Sequence, residues 1–314
     1  MVMNKIPLIV IVGPTAVGKT ALSIEIAKRV NGEIISGDAI QVYRGMDIGS
    51  AKITSEEMEG IPHHLIDILN PDEGYSAAQF KTHAEPIIED IFNRGKTPMI
   101  VGGTGLYIQS LLYQYEFEDE DQQLKNKLQE KYNHYSTEVL YQLLQKTDPR
   151  AAESIHHNNK QRVMRALIYF EMHKKSITLQ KKSQTINEKY DTFIIGLNMP
   201  RPKLYDRINH RVLLMIDQGL VQEVSNLIDS GYRDKQSMTA IGYKEIIPYI
   251  DGEVSLNQAV ESLQQNSRNF AKRQLTWFNN QMSIEWLDSS DLSMQAMVNQ
   301  IMTNIEGNYY DKFR

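Results

Sequence analysis

The sequence predicts an α/β protein: a P-loop parallel-sheet core flanked by helices, interrupted by an all-helical insertion domain. Three observations carry this. The apolar run IPLIVIV (6–12) leads directly into GPTAVGKT (13–20), a loop of the form Gly-x-x-x-x-Gly-Lys-Ser/Thr. Strand-like and helix-like stretches then alternate, as they do where crossover helices join parallel strands. Between about 117 and 190 the alternation stops, and the chain becomes polar, helix-forming and free of strand signals.

Taken in order, residues 6–12 are β-branched and aliphatic, which fits a strand buried on both faces. KTALSIEIAKRV (19–30) has helical periodicity, and GEIIS (32–36) reads as the second strand. A helical stretch, AAQFKTHAEPIIEDIFNRG, precedes the third strand, TPMIV (97–101), and TFIIGL (192–197) resumes the sheet after the insertion. Inside the insertion, Asp148-Pro149 breaks two helical segments. After Leu197, LYDRINHRVLLMIDQGLVQEVSNLIDSG reads as two short helices punctuated by Gly219 and Gly231, and the chain closes with a helix holding RNFAKRQLTWFNN. These limits give 1–116 as the first part of the core, 117–190 as the insertion, and 191–314 as the second part of the core with C-terminal helices.

At 314 residues, 41% hydrophobic and 23% charged, the composition is that of a globular protein with room for a large core. The absence of cysteine excludes disulfides, thiolate metal sites and a cysteine nucleophile. No stretch approaches the roughly 18 apolar residues of a membrane span, and the N-terminus lacks signal-peptide features, so a cytoplasmic enzyme is expected. A net charge of −5 argues against nucleic-acid binding over the whole surface. One block runs against the sum: Lys160, Arg162, Arg165, Lys174, Lys175, Lys181 and Lys182, with Glu171 among them. It is either a polyanion surface or a solvated helix face.

The strand, glycine loop and helix together make a polyphosphate site. Backbone N–H groups of Gly13, Pro14, Thr15, Ala16, Val17 and Gly18, proline excepted, and the positive end of the following helix face the anion. Lys19 neutralises the terminal phosphate, and the Thr20 hydroxyl is offered to Mg²⁺. An NTP hydrolase would also carry an apolar strand ending in acid to hold metal and water. Here the third strand ends in GGTG (102–105), and the second ends at Ser36 with Asp38 just beyond. Asp38 stands where it can take a proton or can cap the next turn, and Gln41 can hydrogen-bond a base edge. The pairs His63-His64 and His156-His157 have no metal-ligand or carboxylate partner spacing.

The chain resembles the bacterial tRNA dimethylallyltransferase (IPP transferase) family through an ordered series of motifs spanning nearly its whole length. These are GPTAVGKT, SGDAIQVYRGMDIGSAK (36–52), GGTGLYIQSLL (102–112), NNKQRVMRAL (158–167), LYDRINHRV (204–212), TAIGYKE (239–245) and AKRQLTWF (271–278). The resemblance implies that the loop holds the diphosphate of dimethylallyl diphosphate rather than ATP, with Mg²⁺ at Thr20. It implies transfer to N6 of the adenosine beside the anticodon, in tRNAs reading codons that begin with U. Nothing in the sequence demands more than a monomer. Asp38 is then the base, Arg211 helps to stabilise the diphosphate, and Thr104 lines the channel where the substrates meet. Contact with the tRNA anticodon stem-loop falls to Asp38, Ala39, Ile40 and Gln41, and in the insertion to Gln161, Arg162, Val163, Met164 and Arg165. The sequence departs from the family pattern at Ala39, Ser50, Ile53, Thr239 and Asn279, none of them in the chemical set. A small-molecule kinase using ATP, an adenylate isopentenyltransferase and a silent RNA-binding regulator are the competing readings.

Overall fold

A computed structural model describes residues 5–114, 121–179 and 185–309. The chain divides into two compact units, one formed by residues up to Gln114 together with those from Ile186 onward, the other by Tyr115–Thr185.

The larger unit begins with β1 (Ile6–Val12), α1 (Lys19–Val30), β2 (Gly32–Ser36), β3 (His63–His64), α2 (Ala77–Asn93), β4 (Thr97–Gly102) and α3 (Gly105–Leu112). The smaller unit contributes α4 (Gln122–Asn133), α5 (Thr137–Thr147), α6 (Pro149–Ser154) and α7 (Lys160–His173). The larger unit resumes with β5 (Tyr190–Asn198), α8 (Arg201–Asp217), α9 (Leu220–Asp229), α10 (Ile247–Ile250), α11 (Leu256–Gln281), β6 (Glu285–Asp288) and α12 (Met294–Tyr309).

Its strands form a parallel sheet in the order β3-β2-β4-β1-β5-β6. Central β1 is buried along its entire length because helices cover both faces. One face packs Ile9, Ile11, Phe193 and Ile195 against Leu22 and Ile26 of α1 and Val298 and Ile301 of α12. The other packs Leu8, Val10 and Ile100 against Phe80 and Ile88 of α2, Ile108 of α3 and Phe278 of α11. A third cluster joins Val42, Tyr43 and Met46, beyond β2, to Val212, Val224 and Leu263. The strand register sets Ser36 level with Val101, and Val12 level with Gly102. The loops after β2, β4 and β1 therefore leave neighbouring strands at nearly one height.

Four elements differ from the sequence expectation. The chain does not close on α11, because β6 and α12 come after it. β6 has four residues and β3 two, too short for an alternation to declare itself. The first helix after β5 runs 17 residues rather than a short span. Its buried stripe of Leu204, Ile208, Val212 and Met215 recurs mostly every four residues and carries the helix through to Gln218.

The smaller unit buries Leu128 and Tyr132 of α4, Leu140 and Leu144 of α5, Ala151 of α6, and Val163, Met164 and Leu167 of α7. Its helices are capped where the sequence offers cap residues. Asp121, Ser136, Asp148 and Asn159 each accept a backbone N–H of the following first turn. Among the described residues no helix is long and apolar enough to cross a membrane.

Candidate active site

Loops from three adjacent strands meet at the carboxyl edge of the sheet, where α/β proteins place ligands. Gly13 opens the first loop at φ +144°, and a Cβ there would lie 2.5 Å from the Leu197 carbonyl oxygen of β5. Only glycine lets this strand turn away so close to its neighbour. Ala16 sits in the left-handed region at φ +63°, so the loop holds some backbone strain, of order 1–2 kcal/mol. α1 then starts at Lys19, with its free N–H groups facing the loop.

Lys19 folds back over its own loop, donating from Nζ to the Gly13 carbonyl at 3.0 Å and the Pro14 carbonyl at 2.8 Å. Burial pulls its ammonium down from 10.5 to about 8, helped by the Arg211 charge and opposed by the Asp38 carboxylate. Arg211 of α8 donates to the Thr15 hydroxyl at 3.2 Å. Burial lowers its guanidinium as well, against Asp38 and Glu57, but an arginine so placed remains charged. Arg207, one turn earlier, reaches to within 3.9 Å of where a Cβ on Gly18 would sit. Thr20 stands exposed at the first turn of α1. Three cations and a helix start thus converge on one loop, an arrangement that binds a polyanion.

Asp38 lies just beyond β2, and its charge acts on both Lys19 and Arg211. Its Oδ1 accepts the N–H groups of Ile40 at 2.8 Å and Gln41 at 3.3 Å. The turn-capping role is therefore real, and it occupies one carboxylate oxygen. Thr104, leading into α3, accepts the Ala39 N–H on its hydroxyl at 3.1 Å and donates its own N–H to the Gly37 carbonyl at 3.2 Å. Thr104 is thus the brace that holds the Asp38 turn against the β4 loop. Gln41 is engaged internally, accepting from Ser36 at 3.0 Å and donating to the Ala51 carbonyl at 3.3 Å. Its side chain holds the loop as it stands rather than offering a free amide.

In the smaller unit, Gln161, Arg162 and Arg165 lie exposed on α7. Val163 and Met164 point the other way, at 0% and 2% exposure, and their side chains serve the helical core. Of the basic block, Arg162, Arg165, Lys174 and Lys175 are exposed, while Lys181 and Lys182 lie outside the described residues. Glu171 is taken up by Tyr132 and by Lys131 at 3.2 Å.

The histidine pairs part company. His156 and His157 are exposed and stack on each other at 4.4 Å. His64 does have a carboxylate partner, Glu33 of β2 at 2.8 Å, which also takes both amino groups of Arg94 at 2.6 and 2.8 Å and Lys96 at 2.7 Å. Sequence spacing gives no sign of this pairing, because sheet register is what brings the two together. The cluster lies at the start of β2, the opposite end from Asp38.

Two further residues at the site carried no sequence expectation of a role. Gln274 of α11 bridges the Thr15 N–H and the Gly103 carbonyl. Glu223 of α9 accepts the N–H groups of Asp47, Ile48 and Gly49 at 3.0, 2.7 and 3.0 Å, together with the Tyr243 hydroxyl at 2.9 Å, and so fixes the run beyond Asp38. Gln274 left a trace in the sequence: it shares the buried stripe of Ala271 and Phe278, where a polar residue is out of place unless bonded.

The IPP transferase family model matches residues 41–281. The tRNA dimethylallyltransferase of Macrococcus caseolyticus is 76% identical over 99% of this chain and 100% of its own length. That of Staphylococcus haemolyticus is 53% identical over 96% of this chain and 93% of its own. Among solved structures, a tRNA isopentenylpyrophosphate transferase from Staphylococcus epidermidis superposes with a TM-score of 0.73 at 55% identity, covering 97% of this chain and 100% of that one. A eukaryotic dimethylallyltransferase studied acting on tRNA gives 0.80 at 30% identity, covering 99% of this chain and 80% of that one.

Proposed function

The chain belongs to the IPP transferase family, and on that premise we propose that the loop of residues 13–20 holds the diphosphate of dimethylallyl diphosphate while Asp38 deprotonates the nucleophile. The protein is a prenyl-transferring enzyme that modifies tRNA; in this proposal the dimethylallyl group goes to N6 of the adenosine 3′ to the anticodon in tRNAs reading codons that begin with U. The observation that carries the site assignment is the position of Asp38: one carboxylate within the field of both Lys19 and Arg211, at the mouth of an anion-binding loop.

The chemistry proceeds from that placement. The allylic carbon–oxygen bond breaks, and its electron pair leaves on the diphosphate oxygen. Lys19, Arg211 and the loop N–H groups stabilise that growing charge, which is larger in the transition state than in the bound substrate. N6 forms the new bond to the allylic carbon. Its lone pair is delocalised into the ring, so the amine is weak until it sheds a proton, which passes to the Asp38 carboxylate. The turn N–H groups hold Oδ1, and among the described residues nothing takes the other oxygen. No strand-end acid beside the loop is needed, because no water is activated.

The donor set at the loop fits Mg²⁺. Thr20 offers an exposed hydroxyl, a hard oxygen ligand, and among the described residues no three His, Asp or Glu side chains group to cage a metal. Mg²⁺ would therefore be held by Thr20 and the diphosphate oxygens. Bound there, it would supply further neutralisation of the departing diphosphate.

An adenine stacked in a loop hides its N6, so the enzyme must draw the base out. In this proposal residues 117–190 bind the anticodon stem-loop through Gln161, Arg162 and Arg165, with Asp38, Ala39, Ile40 and Gln41 beside the extruded base. The protein acts as a cytoplasmic monomer. The test is product analysis. Protein, Mg²⁺ and labelled dimethylallyl diphosphate are mixed with unmodified tRNAs whose anticodons end in adenosine or in another base. N6-isopentenyladenosine should form 3′ to the anticodon in the first set alone. Label elsewhere, or equal label in both sets, would contradict the assignment.

A further inference from the structure

We infer that Gln274 is a positioning residue for the transfer step, setting the spacing between the diphosphate loop and the turn that carries Asp38; the inference rests on the function proposed above. Its side chain is buried, 7% exposed, at the meeting of the two loops. Oε1 accepts the Thr15 N–H at 2.9 Å, and Nε2 donates to the Gly103 carbonyl at 3.0 Å. The two partners demand opposite functions from one side chain, an acceptor and a donor a carboxamide's width apart. A carboxylate supplies only the first and a thioether neither.

Among the described residues no other hydrogen bond ties the two joined segments directly. The ladder between β1 and β4 ends at Val12 and Gly102, and beyond it no backbone hydrogen bond links the two loops among the described residues. Gly103 is shaped to the contact, because a Cβ there would lie 2.2 Å from Nε2. From Gly103 the chain passes at once to Thr104, whose hydroxyl holds the Ala39 N–H beside Asp38. On the other side Thr15 also receives Arg211. A continuous path therefore runs from Arg211 through Thr15, Gln274, Gly103 and Thr104 to the Asp38 turn. The leaving group sits at one end and the base at the other. Catalysis at such a site depends on placement to within about 1 Å, and misplacement of that size costs on the order of 100-fold.

Gln274→Met keeps the volume and removes both bonds. In the full-length enzyme it should lower kcat about 10- to 100-fold and leave both KM values within about threefold. Because the residue acts through Asp38, its cost in single-turnover rate should shrink several-fold in an Asp38→Asn background. Should Gln274→Met fail to fold by thermal melt, Gln274→Glu, which keeps the Thr15 bond and loses the Gly103 one, carries the same comparison. Parental kcat in the variant, an effect confined to KM, or the same fold loss in both backgrounds would overturn the positioning role. Absence of prenyl transfer by the parent enzyme would instead overturn the functional proposal beneath it.

Discussion

In the proposed mechanism Asp38 carries two tasks on one carboxylate, and the right substitution separates them. Asparagine keeps an Oδ1 acceptor for the Ile40 and Gln41 N–H groups and removes the base. Asp38→Asn should fold like the parent, keep its KM values within a few-fold and lose roughly 100- to 10,000-fold in kcat, measured by steady-state transfer. Lys19 sets the pH dependence. With its ammonium at about 8 in the free enzyme, the charge proposed to attract diphosphate is present below that pH and lost above it. kcat/KM for the allylic diphosphate, which reports the free enzyme, should therefore fall about tenfold per unit above pH 8. Stability moves the other way for this one group: the unfolded lysine holds its proton up to 10.5, so its contribution rises with pH between about 8 and 10.5. The identity of Lys19 and Thr20 was legible in the sequence because a loop motif fixes them by local spacing. Thr104 and Arg211 were named only through the family resemblance, and the bonds they make near Asp38 were not legible, because both come from other parts of the chain.

At the scale of elements, the carboxyl ends of β1, β2 and β4 make the candidate site, and their opposite ends make the scaffold. Glu33, 3% exposed at the side chain, is clamped by Arg94, Lys96 and His64, with Arg94 the largest of the influences holding its carboxyl far below its ordinary 4.5. A depressed carboxylate stabilises the fold above its unfolded value and ceases to as the pH falls below it. Glu33→Gln should cost about 2 kcal/mol at pH 7 by urea denaturation, less than a fully enclosed pair because Arg94 and Lys96 reach solvent. The difference from the parent should narrow below about pH 4.5. In the smaller unit α7 separates its roles by face, Val163 and Met164 inward, Arg162 and Arg165 outward. Replacing either arginine with alanine should weaken tRNA binding and reduce its dependence on log salt by roughly 0.7–0.9 for each phosphate that is no longer neutralised. Helices and long strands were readable because burial repeats every two or about four residues over their length. Edge strands β3 and β6 were not, since a pair of half-buried histidines and the tetrapeptide EWLD leave no period to find.

Across the whole molecule, the sheet order puts β1 between β4 and β5, with β2 beyond β4, so segments far apart in sequence converge without any one loop being long enough to build the site. The α/β class was legible from local alternation, while the pairing of Gln274 with Thr15, 259 positions away, was not, because only that convergence brings them together. A triphosphate-using enzyme could share the same loop, and the identity of the donor is therefore the point on which the proposed function stands. The deciding measurement is a pair of parallel reactions with full-length protein, Mg²⁺ and unmodified tRNA, one with labelled dimethylallyl diphosphate and one with γ-labelled ATP. Prenyl transfer requires label on the tRNA in the first, with one diphosphate released per transfer, and none in the second. Phosphate moving from ATP, with no prenyl transfer, would contradict it.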